Sequence, residues 1–227
     1  MGTDGGGTMQ TLTRLLAILG VVVGILVGAP GISDATTNLF VPGQTTAGYW
    51  TSGLAPTSAS TTVVVPSFTC TGVQFDILSI ELAYMTGAVS DEVLVHCSGS
   101  GVPAVLSTFV CNTQNCVSTL TVAPGDRLKM SVTSKGATMT DVTTKRTAKS
   151  GSSGNTTGAV NANFGLLRVD QTTPTFNKMS FTAMTVDGVP LTTADSFSQD
   201  MTGPTPIVEV RASTLTLGKG SLIFKHT

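Results

Sequence analysis

The sequence predicts an all-β fold, a sandwich of two packed antiparallel sheets of the concanavalin or jelly-roll kind, and three observations carry that expectation. Apolar residues are never sustained at i, i+3, i+4 and i+7 beyond the N-terminal segment, so no amphipathic helix is written into the chain. Short β-branched runs recur between Gly, Pro, Ser and Thr clusters. In "RLKMSVTS", Leu128, Met130 and Val132 alternate with Lys129, Ser131 and Thr133, the period of a half-buried strand.

The expected strands follow in order. "TTVVVPSF" (61–68), "FDILSIELAY" (75–84) and "EVLVHC" (92–97) come first, and "STLTVAPGDRLKMSVTS" (118–134), "NKMSFTAMTVDGVPL" (177–191) and "GSLIFKHT" (220–227) complete the set. "APGD" and "VDGV" are turn sequences, in which glycine supplies backbone angles other residues avoid. "TAKSGSSGNTTG" (147–158) is the low-complexity stretch and is expected to be a mobile loop within one domain spanning 36–227.

Composition narrows the function classes. The chain has 227 residues, of which 11% are charged, about half the usual share, with a formal net charge of −1. Its 12 Lys and Arg form no basic stripe, so no nucleic-acid partner is expected. Arg14 followed by "LLAILGVVVGILVGAPGI" has the form of an export signal over residues 1–35, with Met9 as a possible start and cleavage near Thr36. Membrane contact is expected only if that segment stays uncleaved as an anchor. The expected location is secreted or in the cell envelope. There "NTT" at Asn155 is a glycosylation acceptor if the pathway uses one.

Export gives the four cysteines a meaning. An even set in an oxidising compartment implies two disulfides, for which three pairings exist. Cys111 and Cys116 bracket "NTQN", a turn-rich tetrapeptide able to close a hairpin, which leaves Cys70 for Cys97. A zinc site is disfavoured, because the chain has no CxxC pair and both histidines lie far from three of the cysteines. No metal and no cofactor is expected.

"SDEVLVHCSGSG" (90–101) concentrates Asp91, Glu92, His96 and Cys97, and so raises the question of catalysis. A Cys–His dyad needs thiolate and imidazole to meet, but adjacent strand residues point to opposite faces. Val93, Val95 and Cys97 share one face, Leu94 and His96 the other. There is no G-x-S-x-G, and the other histidine is His226, beside the C-terminus. Asp91 and Glu92 are most simply read as solvating a turn.

Six fragments, in order, resemble the glutamic peptidases, the eqolisin family of secreted acid endopeptidases. "TAGYWTSG" (46–53) looks like the family's N-W-x-G-Y strand, and "VVVPSFTC" (63–70) like its f-t-v-P-x-x-x-C. "CSGSGVP" (97–103) resembles C-s-g-G-x-p, and "VAPGDRLKMSV" (122–132) is similar to V-x-P-G-D-x-i-x-x-s-V. "TFNKMSFTAMTVDGVPL" (175–191) and "ASTLTLGKGSLIFKHT" (212–227) are similar to the family's closing strands. The resemblance implies a β-sandwich and favours the Cys70–Cys97 pairing.

The resemblance also implies a catalytic pair: a glutamate that takes a proton from water, and a glutamine that stabilises the oxyanion. The matching positions carry Ser90 for the glutamine and Asn163, in "NANFGLL", for the glutamate. The family's W-V-G-x-D-G reads "IELAYMTG" (80–87), without tryptophan. Asparagine cannot accept the proton and serine is too short. Asp91 or Glu92 could be rescue candidates if the register slides, but "VNANFGLL" offers no carboxylate as a second acid. Three functions compete: a silent sandwich binding a polypeptide or glycan in the family cleft, an acid endopeptidase with displaced residues, and a structural envelope subunit.

Overall fold

The computed structural model describes residues 45–51, 55–84, 87–118, 120–151, 158–170, 172–192, 196–202, 208–212 and 222–226. The expectations for residues 1–35 and for Asn155 lie outside these residues. The first strands are β1 (Thr46–Thr51), β2 (Ser58–Val64), β3 (Val73–Tyr84), β4 (Gly87–Ser98), β5 (Val105–Cys111) and β6 (Cys116–Ser118). Then come β7 (Arg127–Thr133), β8 (Gly136–Asp141), β9 (Arg146–Lys149), β10 (Asn161–Arg168) and β11 (Met179–Val186). The last are β12 (Val189–Pro190), β13 (Ser196–Gln199), β14 (Met201–Thr202), β15 (Val208–Ala212) and β16 (Leu222–His226).

They form two antiparallel sheets. The seven-stranded sheet runs β13-β1-β10-β3-β4-β5-β6, and the nine-stranded one runs β14-β15-β16-β11-β2-β7-β8-β9, with β12 paired to β11. The predicted sandwich is therefore the observed fold. Alternation does the sorting: Leu128, Met130 and Val132 of β7 are fully buried, whereas Arg127 and Lys129 are exposed. From the other sheet Leu78, Ile80, Leu82, Val93, Val95 and Phe164 face them in one continuous core. Burying each such side chain stabilises by roughly 1.5–3 kcal/mol, which fixes the register on both sheets.

The turns hold as their sequences predict. Asp187 and Gly188 carry φ of 51° and 78°, and they join Val186 to Val189 in a two-residue hairpin turn. The Asp187 carboxylate also accepts from the backbone N–H groups of Thr57 and Ser58, at 2.9 and 2.8 Å, tying that hairpin to the start of β2. Cys111 pairs with Cys116 across the β5–β6 hairpin, where Asn112 Oδ1 accepts from the N–H groups of Gln114 and Asn115. Both disulfides form as expected, Cys70–Cys97 and Cys111–Cys116.

One expectation is corrected. The stretch 147–158 is not a loop throughout, because residues 147–149 belong to β9, the edge strand paired with β8. Its Lys and Thr side chains suit a solvated sheet edge as well as they suit a loop.

Candidate functional site

The seven-stranded sheet has an inner face against the core and an outer face turned away from it. Cross-strand pairing places one row of residues on the outer face: Trp50 opposite Asn163, Asn163 opposite Glu81, Glu81 opposite Ser90, and Ser90 opposite Cys111. The neighbouring row reads Gly48, Gly165, Ser79, Glu92 and Phe109. Ser90 and Asn163 therefore share a face but do not touch. They flank Glu81 from two strands apart, about 10 Å between backbones at ordinary strand spacing.

Glu81 is the group that residue-by-residue reading passed over. Asn163 Nδ2 donates to Glu81 Oε1 at 3.4 Å, and Ser90 Oγ donates to Glu92 Oε1 at 2.6 Å. Ser90, Glu92 and Asn163 are 2%, 7% and 7% exposed, so half-buried Glu81 is the most accessible of the four. Burial, and then the charge of Glu92, push the Glu81 carboxyl up to about 7, against a smaller opposing effect of the Asn163 hydrogen bond. Burial also raises Glu92, with the Ser90 hydroxyl pulling the other way. Asn163 Oδ1 is buried and finds no hydrogen-bond partner among the described residues.

Asp91 and Glu92 do not solvate a turn. Both sit inside β4, on opposite faces, and both are buried. Asp91 points into the core, where its Oδ2 accepts the Ser131 N–H of the facing sheet at 2.7 Å. Burial holds its carboxyl well above the usual range, the Ser131 bond opposes this, and the charge of Glu92 adds to it. Asp91 thus lies on the opposite face from both rows, whereas Glu92 belongs to the second of them. The carboxyl group beside Asn163 comes from β3, as Glu81.

The remaining candidates behave as strand chemistry requires. His96 stacks on Phe75, its cross-strand partner, with centroids 4.2 Å apart and planes 13° off parallel. Cys97 lies on the other face in its disulfide. His96 and Cys97 therefore form no dyad. No group of three metal-ligating side chains converges among the described residues.

A signal for Glu81 does lie in the sequence. In "FDILSIELAY", Leu78, Ile80 and Leu82 set the inner face, so Ser79 and Glu81 must share the outer one. Only the pairing of β3 with β10 reveals that this face meets Asn163, 82 positions away in the chain.

No protein-family model matches the chain, and no curated protein sequence does. Solved structures do. Scytalido-glutamic peptidase with a peptide-based transition-state analogue is similar over 81% of this chain and 98% of its own, with a TM-score of 0.64 at 17% identity. SCP-B, an eqolisin in complex with the tripeptide Ala-Ile-His, gives 0.63 at 16% identity over 81% of this chain and 98% of its own. Aspergilloglutamic peptidase from Aspergillus niger gives 0.51 at 17% identity over 74% of this chain and 99% of its own. Two large antiparallel sheets in this order, matched over 81% of the chain, give it the fold of the eqolisin glutamic peptidases.

Proposed function

We propose that this is an exported polypeptide-binding protein whose ligand lies across the outer face of the seven-stranded sheet. We further propose that it is silent in the acid peptidase chemistry of the enzymes it resembles. The observation that carries this reading is the row Trp50, Asn163, Glu81 and Ser90, with Asn163 and Ser90 at the positions matched to the family's catalytic pair. Neither side chain can take a proton from water at acid pH. Glu81, held up to about 7, is itself protonated there and cannot serve as the base.

The choice of ligand rests on chemistry. The similar structures hold a peptide-based analogue and a tripeptide. A sugar would ask for stacking platforms, but Tyr49 and Tyr84 are buried in the core and the chain has one tryptophan. Two disulfides suit an oxidising compartment, which supports export.

The test uses purified protein with reduced, carboxymethylated ribonuclease A as an unfolded substrate at pH 2 to 5. No acid-dependent cleavage is expected from the unmodified chain or from Asn163→Glu. Cleavage appearing in Ser90→Gln/Asn163→Glu would show that the face presents a peptide correctly. Robust acid cleavage by the unmodified chain, abolished by Glu92→Gln, would contradict the silent reading.

A further inference from the structure

Lys and Arg, spread along the sequence, gather in the fold. Residues 127–149 hold six of the twelve, Arg127, Lys129, Lys135, Lys145, Arg146 and Lys149, against one acid, Asp141. That segment is β7, β8 and β9, which close one side of the nine-stranded sheet, so hairpin pairing brings all six together. The expectation of no basic stripe is corrected for this patch, because two hairpins fold the segment back on itself. All six cations are exposed, and none forms an ion pair among the described residues. Asp141 is buried and its carboxylate accepts the N–H groups of Thr143 and Thr144, while Asp126, beside Arg127, accepts the Ala123 N–H at 2.7 Å.

Alternation aims the charge outward. Leu128, Met130 and Ala148 are buried in the core, so Arg127, Lys129 and Lys149 stand on the outer face of the sheet. Two rows cross that face: Ser60, Ser131, Thr138 and Lys149, then Thr62, Lys129, Thr140 and Thr147. Neither row holds an apolar or aromatic side chain. Lys135 sits in the β7–β8 turn at one end. Lys145 and Arg146 lie at the other, where the Arg127 N–H donates to Thr143 Oγ1 at 3.0 Å and the Val142 N–H to the Arg127 carbonyl at 2.8 Å. By ordinary strand spacing, the backbones of Arg127 and Lys129 are roughly 7 Å apart, and those of Lys129 and Lys149 roughly 12 Å. The outer face of the other sheet has the opposite sign, with Glu81 and Glu92.

We propose that the outer face of β7, β8 and β9 is a docking surface for an acidic polysaccharide bearing one carboxylate per sugar. It lies on the opposite side of the sandwich from the polypeptide site and does not depend on that site. Lys and Arg pair with carboxylates through charge-assisted hydrogen bonds, and a carboxylated chain is therefore held without the aromatic platforms that neutral sugars ask for. Between the cations, the hydroxyls of Ser131, Thr138, Thr140 and Thr147 can donate to and accept from sugar hydroxyls. Cations this far apart match charge dispersed along a glycan, not the close-set phosphates of a nucleic acid. Single strands of nucleic acid would also find no ring to stack on. A lipid surface would find no apolar side chain in the two rows to take into its acyl boundary. Charge complementarity with hydroxyls between the charges selects the glycan.

The experiment titrates the full-length protein at pH 7 with polygalacturonate, with its fully methyl-esterified form, with single-stranded DNA and with vesicles containing phosphatidylglycerol. Saturable binding of polygalacturonate is expected, weakening about tenfold or more between 50 and 200 mM salt, with none to the ester. Lys129→Gln/Lys149→Gln should lower the affinity about tenfold, and Lys135→Gln/Arg146→Gln, at the turn and the sheet edge, should lower it as well. Ser98→Asp/Ser118→Asp makes the same change in net charge at exposed positions of the other sheet and should bind like the unmodified chain. Cooperative thermal unfolding of each variant shows that it is folded. No binding of polygalacturonate, equal binding of its ester, or tighter binding of DNA or vesicles overturns the proposal. So does an affinity unchanged in both Lys variants, or a loss in Ser98→Asp/Ser118→Asp as large as theirs.

Discussion

Asn163 and Glu81 are direct partners on neighbouring strands, and the Asn163 amide donates to Glu81 Oε1 at 3.4 Å, the long end of hydrogen-bond range. A contact that long restrains the carboxyl weakly, so burial dominates and the proton is held to about pH 7. The consequence extends beyond the site to the stability of the whole sandwich.

Three buried or half-buried carboxyls, Glu81, Asp91 and Glu92, have folded pKa values above their ordinary 4.5, 3.8 and 4.5. Between those values and the raised ones, the folded state binds more protons than the unfolded state. Their contribution is thus fully present below about pH 4 and is lost as pH rises through the folded values. Asp141 and Asp187 run the other way: burial opposes their ionisation, but hydrogen bonds from Thr143 and Thr144, and from Thr57 and Ser58, outweigh it and lower both. Their contribution is present above about pH 4 and lost on further acidification. Thermal unfolding should therefore give the highest Tm near about pH 4–5, with Tm falling toward pH 8. Glu81→Gln should flatten that slope. A Tm that rises from pH 5 to pH 8 would contradict the assignment.

Asp91 fastens the two sheets through the Ser131 N–H, with its Oδ1 unpartnered among the described residues. Asp91→Asn keeps an acceptor for Ser131 and removes a buried charge, so stability at neutral pH should hold or increase. Asp91→Ala strands the Ser131 N–H and should cost about 1–3 kcal/mol. Denaturant titration of both variants checks the pair. Equal losses would mean that the Ser131 bond does not matter.

Gly48 and Gly165 face each other where β1 meets β10, and a Cβ on either would strike backbone: Phe164 O at 2.3 Å, or Ala47 O at 2.6 Å. Gly48→Ala and Gly165→Ala should each destabilise by about 1–3 kcal/mol or more. Gly72→Ala, which has nothing within 4 Å, serves as the control. A neutral Gly48→Ala would show that the two strands separate readily.

What was legible in the chain was whatever a period of two and turn chemistry can express. The alternation in β7, the Asp187–Gly188 turn and the Cys111–Cys116 hairpin are local, and each is set by residues a few positions apart. The Glu81–Asn163 pair is not local, because no periodicity tells which strand will lie beside β3. Asp91 and Glu92 misled for another reason: adjacent acids ordinarily seek water, yet alternation places one in the core and the other under Ser90. Residues 147–149 have the composition of a loop, because a solvated edge strand and a loop draw on the same polar residues.

The central claim is that polypeptide lies across the outer face of the seven-stranded sheet, and Trp50, the chain's single tryptophan and the partner of Asn163, reports on it directly. The measurement is Trp50 fluorescence at neutral pH during titration with reduced, carboxymethylated ribonuclease A, which has no tryptophan. The unmodified protein is measured beside Ser79→Arg, which crowds the same face. We predict a saturable change in the first protein and its loss in the second, with both unfolding cooperatively. No saturable change, or equal binding by both, would contradict the account.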